Sequence, residues 1–202
     1  MAEGTWARAR HSRERREHET RTAVIDAAAV VFAESGYAKA SMGAIAEAAA
    51  VARPTVYLYF ADKADIFGAV AEQVRDQFLR AHEVEVPSAD PRELWRASTA
   101  AFLEAYRENG ALLTVIEHQA LVDEGIRRLW TEIQDRPKRR MVKFVVALSD
   151  AGTARPAVPP EVLGDAVIGM LAHFATLLEP EEDVAQRVDQ LTAMHMRLLG
   201  LD

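Results

Sequence analysis

The sequence predicts an all-α protein: a three-helix helix-turn-helix head followed by a larger helical body, about nine helices in all. Three observations predict it. Apolar residues recur at helical period along nearly the whole 202-residue chain, and no stretch alternates convincingly as a strand does. N-cap residues and helix-ending Gly or Pro punctuate that pattern. Residues 41–63, SMGAIAEAAAVARPTVYLYFADK, hold two short helical patterns parted by a three-residue break, the layout of a helix-turn-helix.

The elements follow in order. The first helix starts near Thr20, with Val24, Ala27, Ala28, Val31 and Phe32 on one stripe, and stops at Ser35-Gly36, where Gly supplies a left-handed C-cap. Ser41 is the N-cap of the second helix, Met42 to Ala49. After the break Ala50-Val51-Ala52, a third helix runs from Arg53 to Phe60 with Pro54 in its first turn, where a missing N–H costs little. Asp62 caps the fourth, with Asp65 as its capping-box partner, and that helix extends to about His82.

EVEVPSADP reads as a loop. Asp90 caps the next helix, with Pro91 at its first position, and Asn109-Gly110 ends it. Helices over about Ala111–Val122 and Glu124–Asp150 follow, the latter expected to kink at Pro137 and to end at Gly152. After the loop TARPAVPP, Pro160-Glu161 opens a helix to about Leu178. Glu179-Pro180 breaks it, and the last helix reaches Leu199 with Gly200 beyond.

Composition excludes several classes. Without cysteine there are no disulfides, thiolate metal sites or cysteine nucleophiles. None of the six histidines forms an HxxxH or HExxH pair, and no P-loop, GxGxxG or GxSxG is present. Neither catalytic residues, nor a cofactor, nor a metal site is expected. No apolar run approaches a membrane span, and the N-terminus lacks the apolar core of a secretory signal, so the expected location is the cytoplasm.

The net charge of −7 is unevenly spread: residues 1–63 carry nine Lys/Arg against eight Asp/Glu, residues 64–202 fifteen against twenty-three. Arg8, Arg10, Arg13, Arg15, Arg16 and Arg21 cluster near the start. Phosphates respond to charge within about 10 Å, so a locally basic head suits DNA, and an acidic body repels DNA from the wrong face. Residues 1–19 read equally well as a flexible basic arm or as a solvated tail diluted by Glu14, Glu17 and Glu19.

Residues 21–67 carry a family likeness. The AxxxFxExGY run (Ala28, Phe32, Glu34, Gly36, Tyr37), the dipeptide Ile45-Ala46 and TVYxYFxxK (Thr55 through Lys63) resemble the N-terminal domain of the TetR family of bacterial transcriptional regulators. The resemblance implies a homodimer with a DNA-binding head, here residues 20–66, and a variable effector-binding and dimerisation body, here residues 67–202. Two positions depart from the family's pattern. Ala50 stands where Gly is usual, at a cost on the order of 1 kcal/mol in a left-handed turn. Ala52 stands where Ser is frequent, giving up an N-cap worth about 1 kcal/mol.

The candidate DNA-binding residues are Ser41, Ala52, Arg53, Pro54, Thr55, Tyr57, Tyr59 and Lys63, with Val56 and Phe60 assigned to the core. Arg53 is the expected base reader, because its fork matches guanine O6 and N7. In the body, Trp95, Phe102, Tyr106, His118, Trp130, Met141, Phe144, Met170, His173 and Phe174 are candidates to line an apolar pocket for an apolar or aromatic small-molecule effector. No charged cluster points inward by pattern. Val162, Ala166, Gly169, Leu177, Val188, Leu191, Met194 and Leu198 are candidates for a four-helix dimer interface. The expectation is a ligand-responsive repressor on a palindromic double-stranded DNA operator, released by its effector. The alternative is a constitutive DNA-binding regulator or activator without one.

Overall fold

The computed structural model describes residues 3–81, 90–179 and 182–201, with side chains from residue 11 onward. Eight helices occur among them: α1 (Glu3–Lys39), α2 (Met42–Ala48), α3 (Arg53–Tyr59), α4 (Lys63–Ala81), α5 (Pro91–Ala120), α6 (Glu124–Asp150), α7 (Pro160–Thr176) and α8 (Val184–Leu198). They form two compact units, one ending at Gln73 and one beginning at Val74, so the boundary falls inside α4, beyond the 66/67 division expected from sequence. The expected end of the fourth helix at His82, most of the loop EVEVPSADP and the Pro180 break lie outside the described residues.

Two expectations about helices are corrected. The first helix begins at Glu3 rather than near Thr20, so the segment expected as a flexible arm is helical. Pairs one turn apart, Arg13 with Glu17 at 2.9 Å and Arg15 with Glu19 at 3.8 Å, run along it. The glutamates taken as diluting a basic tail are the i,i+4 partners that favour its helical form. Secondly, α5 passes straight through Asn109-Gly110, which makes eight helices of the expected nine. Asn109 is buried and its Nδ2 donates to the Ala105 carbonyl at 2.9 Å, one turn back. The amide is satisfied within the helix, and packing outweighs the roughly 1 kcal/mol that a mid-helix Gly costs.

In the first unit, Phe32, Tyr37 and Phe67 form an aromatic cluster, with Phe67 edge-on to both others at centroid distances of 5.0 Å. Val24, Ala28, Ile45, Val56, Phe60 and Ile66 complete the core. Gly36 ends the regular part of α1 at φ 71 and ψ 167, a region open essentially to glycine alone, rather than in the left-handed helical cap expected. Asp62 caps α4 as foreseen: its Oδ1 accepts from the Asp65 N–H at 2.9 Å, and the Asp65 carboxylate accepts from the Ala61 N–H at 3.0 Å.

In the second unit α5 packs against α6, α7 and α8. Leu103, Leu113, Ile116, Ile133, Leu163, Val167, Leu191 and Met196 fill the interior. Each of three helices begins on an aspartate that accepts from a first-turn N–H: Asp90 from Arg92, Asp123 from Ile126 and Asp183 from Ala185, all within 3.0 Å. Pro137 sits inside α6, which continues past it. Gly164 lets α7 approach α6 closely, since a Cβ there would come within 3.0 Å of Val142 Cγ2.

The turn between α2 and α3 contains one non-glycine residue with positive φ, Ala50 at 54°, in the place where the sequence comparison put a costly left-handed turn. Ala52 precedes α3 with no side-chain cap. Ala50→Gly is expected to stabilise the protein by about 1 kcal/mol, and Ala52→Ser by about 1 kcal/mol through a new bond to an N–H of the first turn of α3. Urea denaturation measures both. An unchanged midpoint in each variant would contradict this account of the turn.

Candidate nucleic-acid interface and body cavity

The rotation of α3 about its axis is fixed by what it buries. Val56 and Phe60, one turn apart, are buried. Helical geometry then turns residues 54 and 58 away from that stripe and puts 57 on its flank, while Arg53 opens the helix, and Arg53, Pro54, Tyr57 and Leu58 are all exposed. Arg53 donates to the Tyr57 hydroxyl at 3.3 Å, and its guanidinium lies 5.7 Å from the centre of that ring. The phenol oxygen accepts in this pair, so its own hydrogen is available to a phosphate or base edge. Ser41 and Ala52 are exposed, while Thr55 and Tyr59 are half-buried. Ser41 Oγ accepts from the Ala44 N–H at 3.2 Å, which leaves its O–H as a donor.

Lys63 departs from its expected role. Its ammonium donates to the Tyr37 carbonyl at 2.7 Å and lies 4.4 Å from the Tyr37 ring centre. It is engaged with the last turn of α1, and a contact to phosphate draws only on what that leaves. Arg21 likewise stands over the Phe60 ring, at 5.0 Å.

Leu58 was missed by sequence reasoning. It is 80% exposed, an apolar side chain at the centre of the outward face of α3. The signal was available: Leu58 lies two residues from both Val56 and Phe60, so helical geometry puts it opposite the buried stripe. An apolar side chain in a major groove meets the thymine methyl.

A cavity of about 150 Å³ lies in the second unit between α5, α6 and α7. Trp95, Phe102, Met141 and Phe144 of the expected set line it. Leu94, Ser98, Thr99, Pro137, Arg140 and Leu171 also line it and were not foreseen. Arg140, itself exposed, is the one charged residue of that lining. Six expected residues do not line it. Tyr106 borders a separate groove with Thr114 and Thr176. Burial, and secondarily Glu117, raises its phenol pKa. His118 and His173 are exposed, and Trp130 and Met170 are half-buried elsewhere. Phe174 lies under the Arg187 guanidinium at 5.4 Å. Period-based reading placed these on helices correctly but could not tell which stretch of each helix faces the cavity.

On α7 and α8, Val162, Ala166, Gly169, Leu177, Met194 and Leu198 are exposed. Val188 and Leu191 are buried in the protomer's own core, which removes them from the candidate dimer surface. The apolar residues of α8 divide between two faces, and only the outer one is open to a partner.

Residues 24–70 match the family model for bacterial regulatory proteins of the tetR family. The chain is 29% identical over 142 residues to the transcriptional repressor LfrR of Mycolicibacterium smegmatis, covering 70% of this chain and 69% of that one.

The head of this chain carries a tetR-family domain over residues 24–70.

Solved structures agree on the TetR fold. A tetR-family regulatory protein from Rhodococcus RHA1 superposes with a TM-score of 0.77 at 17% identity, covering 91% of this chain and 98% of that one. The regulator FadR of Bacillus subtilis, solved in complex with stearoyl-CoA, gives 0.71 at 19% identity, with coverage of 88% and 98%. Among the described residues, no helix is long and apolar enough to cross a membrane.

The cavity wall rests on a buried polar pair. Trp95 Nε1 donates to His195 Nδ1 at 2.8 Å, which places the imidazole proton on Nε2. His195 is fully buried, and burial pushes its pKa down from 6.5 to about 4. The unfolded chain therefore takes up this proton as pH falls from 6.5 toward 4 while the folded chain does not. The stabilisation is complete above pH 6.5 and is lost through that window, by roughly 3 kcal/mol at its lower end. His195→Gln keeps an acceptor for the indole without a titrating group. Urea midpoints of this variant are expected to fall less steeply from pH 7 to pH 4.5 than those of the parent; parallel slopes would contradict the assignment.

Proposed function

We propose that this chain is a ligand-responsive transcriptional repressor that binds a palindromic operator as a homodimer in the cytoplasm and is released by a small, largely apolar effector. The observation that carries the reading is the outward face of α3: Arg53 and Tyr57 paired beside exposed Leu58, on a helix whose opposite side is locked into the head. Its residue types match major-groove chemistry: a guanidinium for guanine, a phenol for phosphate and a leucine for the thymine methyl. The DNA set is then Ser41, Ala52, Arg53, Pro54, Thr55, Tyr57 and Tyr59, with Leu58 added and Lys63 in a supporting place. The repressor name borne by LfrR supports the sign of regulation.

The aromatic-walled cavity favours an effector-controlled regulator over a constitutive one, and the ligand-bound FadR structure, similar in fold, supports a ligand in the body. Effector binding favours one conformation of the body, and DNA affinity falls only by the ratio of the ligand's affinities for the two states. The exposed apolar face of α7 and α8, with Val162, Ala166, Gly169, Leu177, Met194 and Leu198, pairs with its copy across a two-fold axis.

Two outcomes test this. Arg53→Ala is expected to lose about 1–3 kcal/mol of preference for the duplex the parent selects over random duplex; an equal loss on all sequences would reduce Arg53 to a phosphate contact. Leu198→Glu places a charge on the apolar face and is expected to give a folded monomer in sedimentation, with operator affinity reduced at least tenfold. A dimer of undiminished stability would place the interface elsewhere.

A further inference from the structure

Three helices wall the body cavity. Trp95, Thr99 and Phe102 stand at i, i+4 and i+7 on α5, and Pro137, Met141 and Phe144 repeat that spacing on α6. Thr99 is therefore a hydroxyl set between two aromatic rings, and it is 1% exposed. A helical threonine can return its hydroxyl to the carbonyl one turn back, as Thr20, Thr114 and Thr131 do here within 3.0 Å. Thr99 makes no such bond, nor any other side-chain hydrogen bond to a described residue. Unlike Thr192 Oγ1, which is sealed inside the core, it borders open space. The other polar groups of the wall are accounted for. The Trp95 indole N–H is donated to His195, Ser98 is exposed, and Arg140 is exposed and already engaged. Thr99 is thus the buried lining residue with hydrogen-bonding capacity left over.

We infer that this cavity selects an uncharged single-ring phenol, its ring among Trp95, Phe102 and Phe144 and its hydroxyl on Thr99 Oγ1. This deepens the effector reading above and rests on it. Size supports a single ring, because the volume of about 150 Å³ equals that of an apolar protein cavity that takes up benzene. The threonine supports the hydroxyl. A purely apolar molecule of the same size leaves Thr99 buried and unpaired, and that penalty is the source of hydrogen-bond specificity. A phenol O–H both donates and accepts, as the threonine hydroxyl does, so either can act as the donor. A carboxylate in the same place loses its water and finds no uncommitted cation among the lining residues.

The test is calorimetry on the intact protein at neutral pH, where a phenol keeps its proton. The probes are phenol, toluene and benzoate, which share one ring and differ in its substituent. Phenol is expected to bind at least about fivefold more tightly than toluene, with benzoate weakest. Thr99→Val keeps the outline of the side chain and removes its hydroxyl. It is expected to abolish the preference for phenol while leaving toluene affinity in place, and Thr99→Ser to retain the preference. Thr99→Ala carries the test should the valine variant not fold. Toluene binding as tightly as phenol in the parent, or a phenol preference that survives loss of the hydroxyl, overturns the assignment of Thr99 while the cavity stands as a binding site. Benzoate binding more tightly than phenol overturns the uncharged class in the same way. Failure of all three probes to bind overturns the effector reading together with it.

Discussion

Burial of Val56 on a seven-residue helix and of Phe60 at its C-cap is the constraint on which the rest depends. An α3 of that length has two turns and little stability of its own, so its orientation comes from packing. With those two side chains in the core, helical geometry puts Leu58 opposite them and Tyr57 on the flank, and Arg53 is exposed at the start of the helix. The Phe32–Tyr37–Phe67 cluster and the Lys63 bond to the Tyr37 carbonyl tie the ends of α1 and α4 together within the same unit. The head thus spends its apolar residues and one of its cations on holding a short helix still. That is what recognition demands, since a reading helix free to roll would lose its register with the base pairs.

The turn ahead of α3 works against this rigidity. Ala50 occupies a conformation that glycine adopts at lower cost, and Ala52 caps nothing with its side chain. The head keeps its shape through packing rather than local propensity. In the body a similar trade occurs around Trp95. Its bond to buried His195 orients the indole as a cavity wall, at the expense of holding an imidazole neutral and leaving His195 Nε2 and Thr192 Oγ1 without protein partners. A buried polar pair of this kind contributes little net stability but fixes one arrangement of the side chains around it.

The head was legible because its signals are local: caps at Ser41 and Asp62, Pro54 in a first turn, and a period that puts Val56 and Phe60 on one stripe. Leu58 was legible by the same rule and passed over because apolar residues were assigned inward. The body was legible as helices and not as a site. Period alone cannot separate Phe144, on the cavity, from Trp130 on the same helix, nor Met194, exposed, from buried Leu191. Which face meets which neighbour depends on packing between helices far apart in sequence. The Asn109-Gly110 pair misled for a related reason: a helix-ending dipeptide is overridden when the asparagine amide bonds back to Ala105 and both flanks are packed.

The central claim is that two copies of α3 read one duplex together. A hydroxyl-radical footprint of the full chain on the duplex it enriches from a randomised pool tests this most directly. The expected pattern is two equivalent protected patches on one face of the DNA, related by two-fold symmetry and centred about one helical turn or a whole multiple of it apart. A single asymmetric patch, or a pool that yields no preferred sequence, would contradict the account.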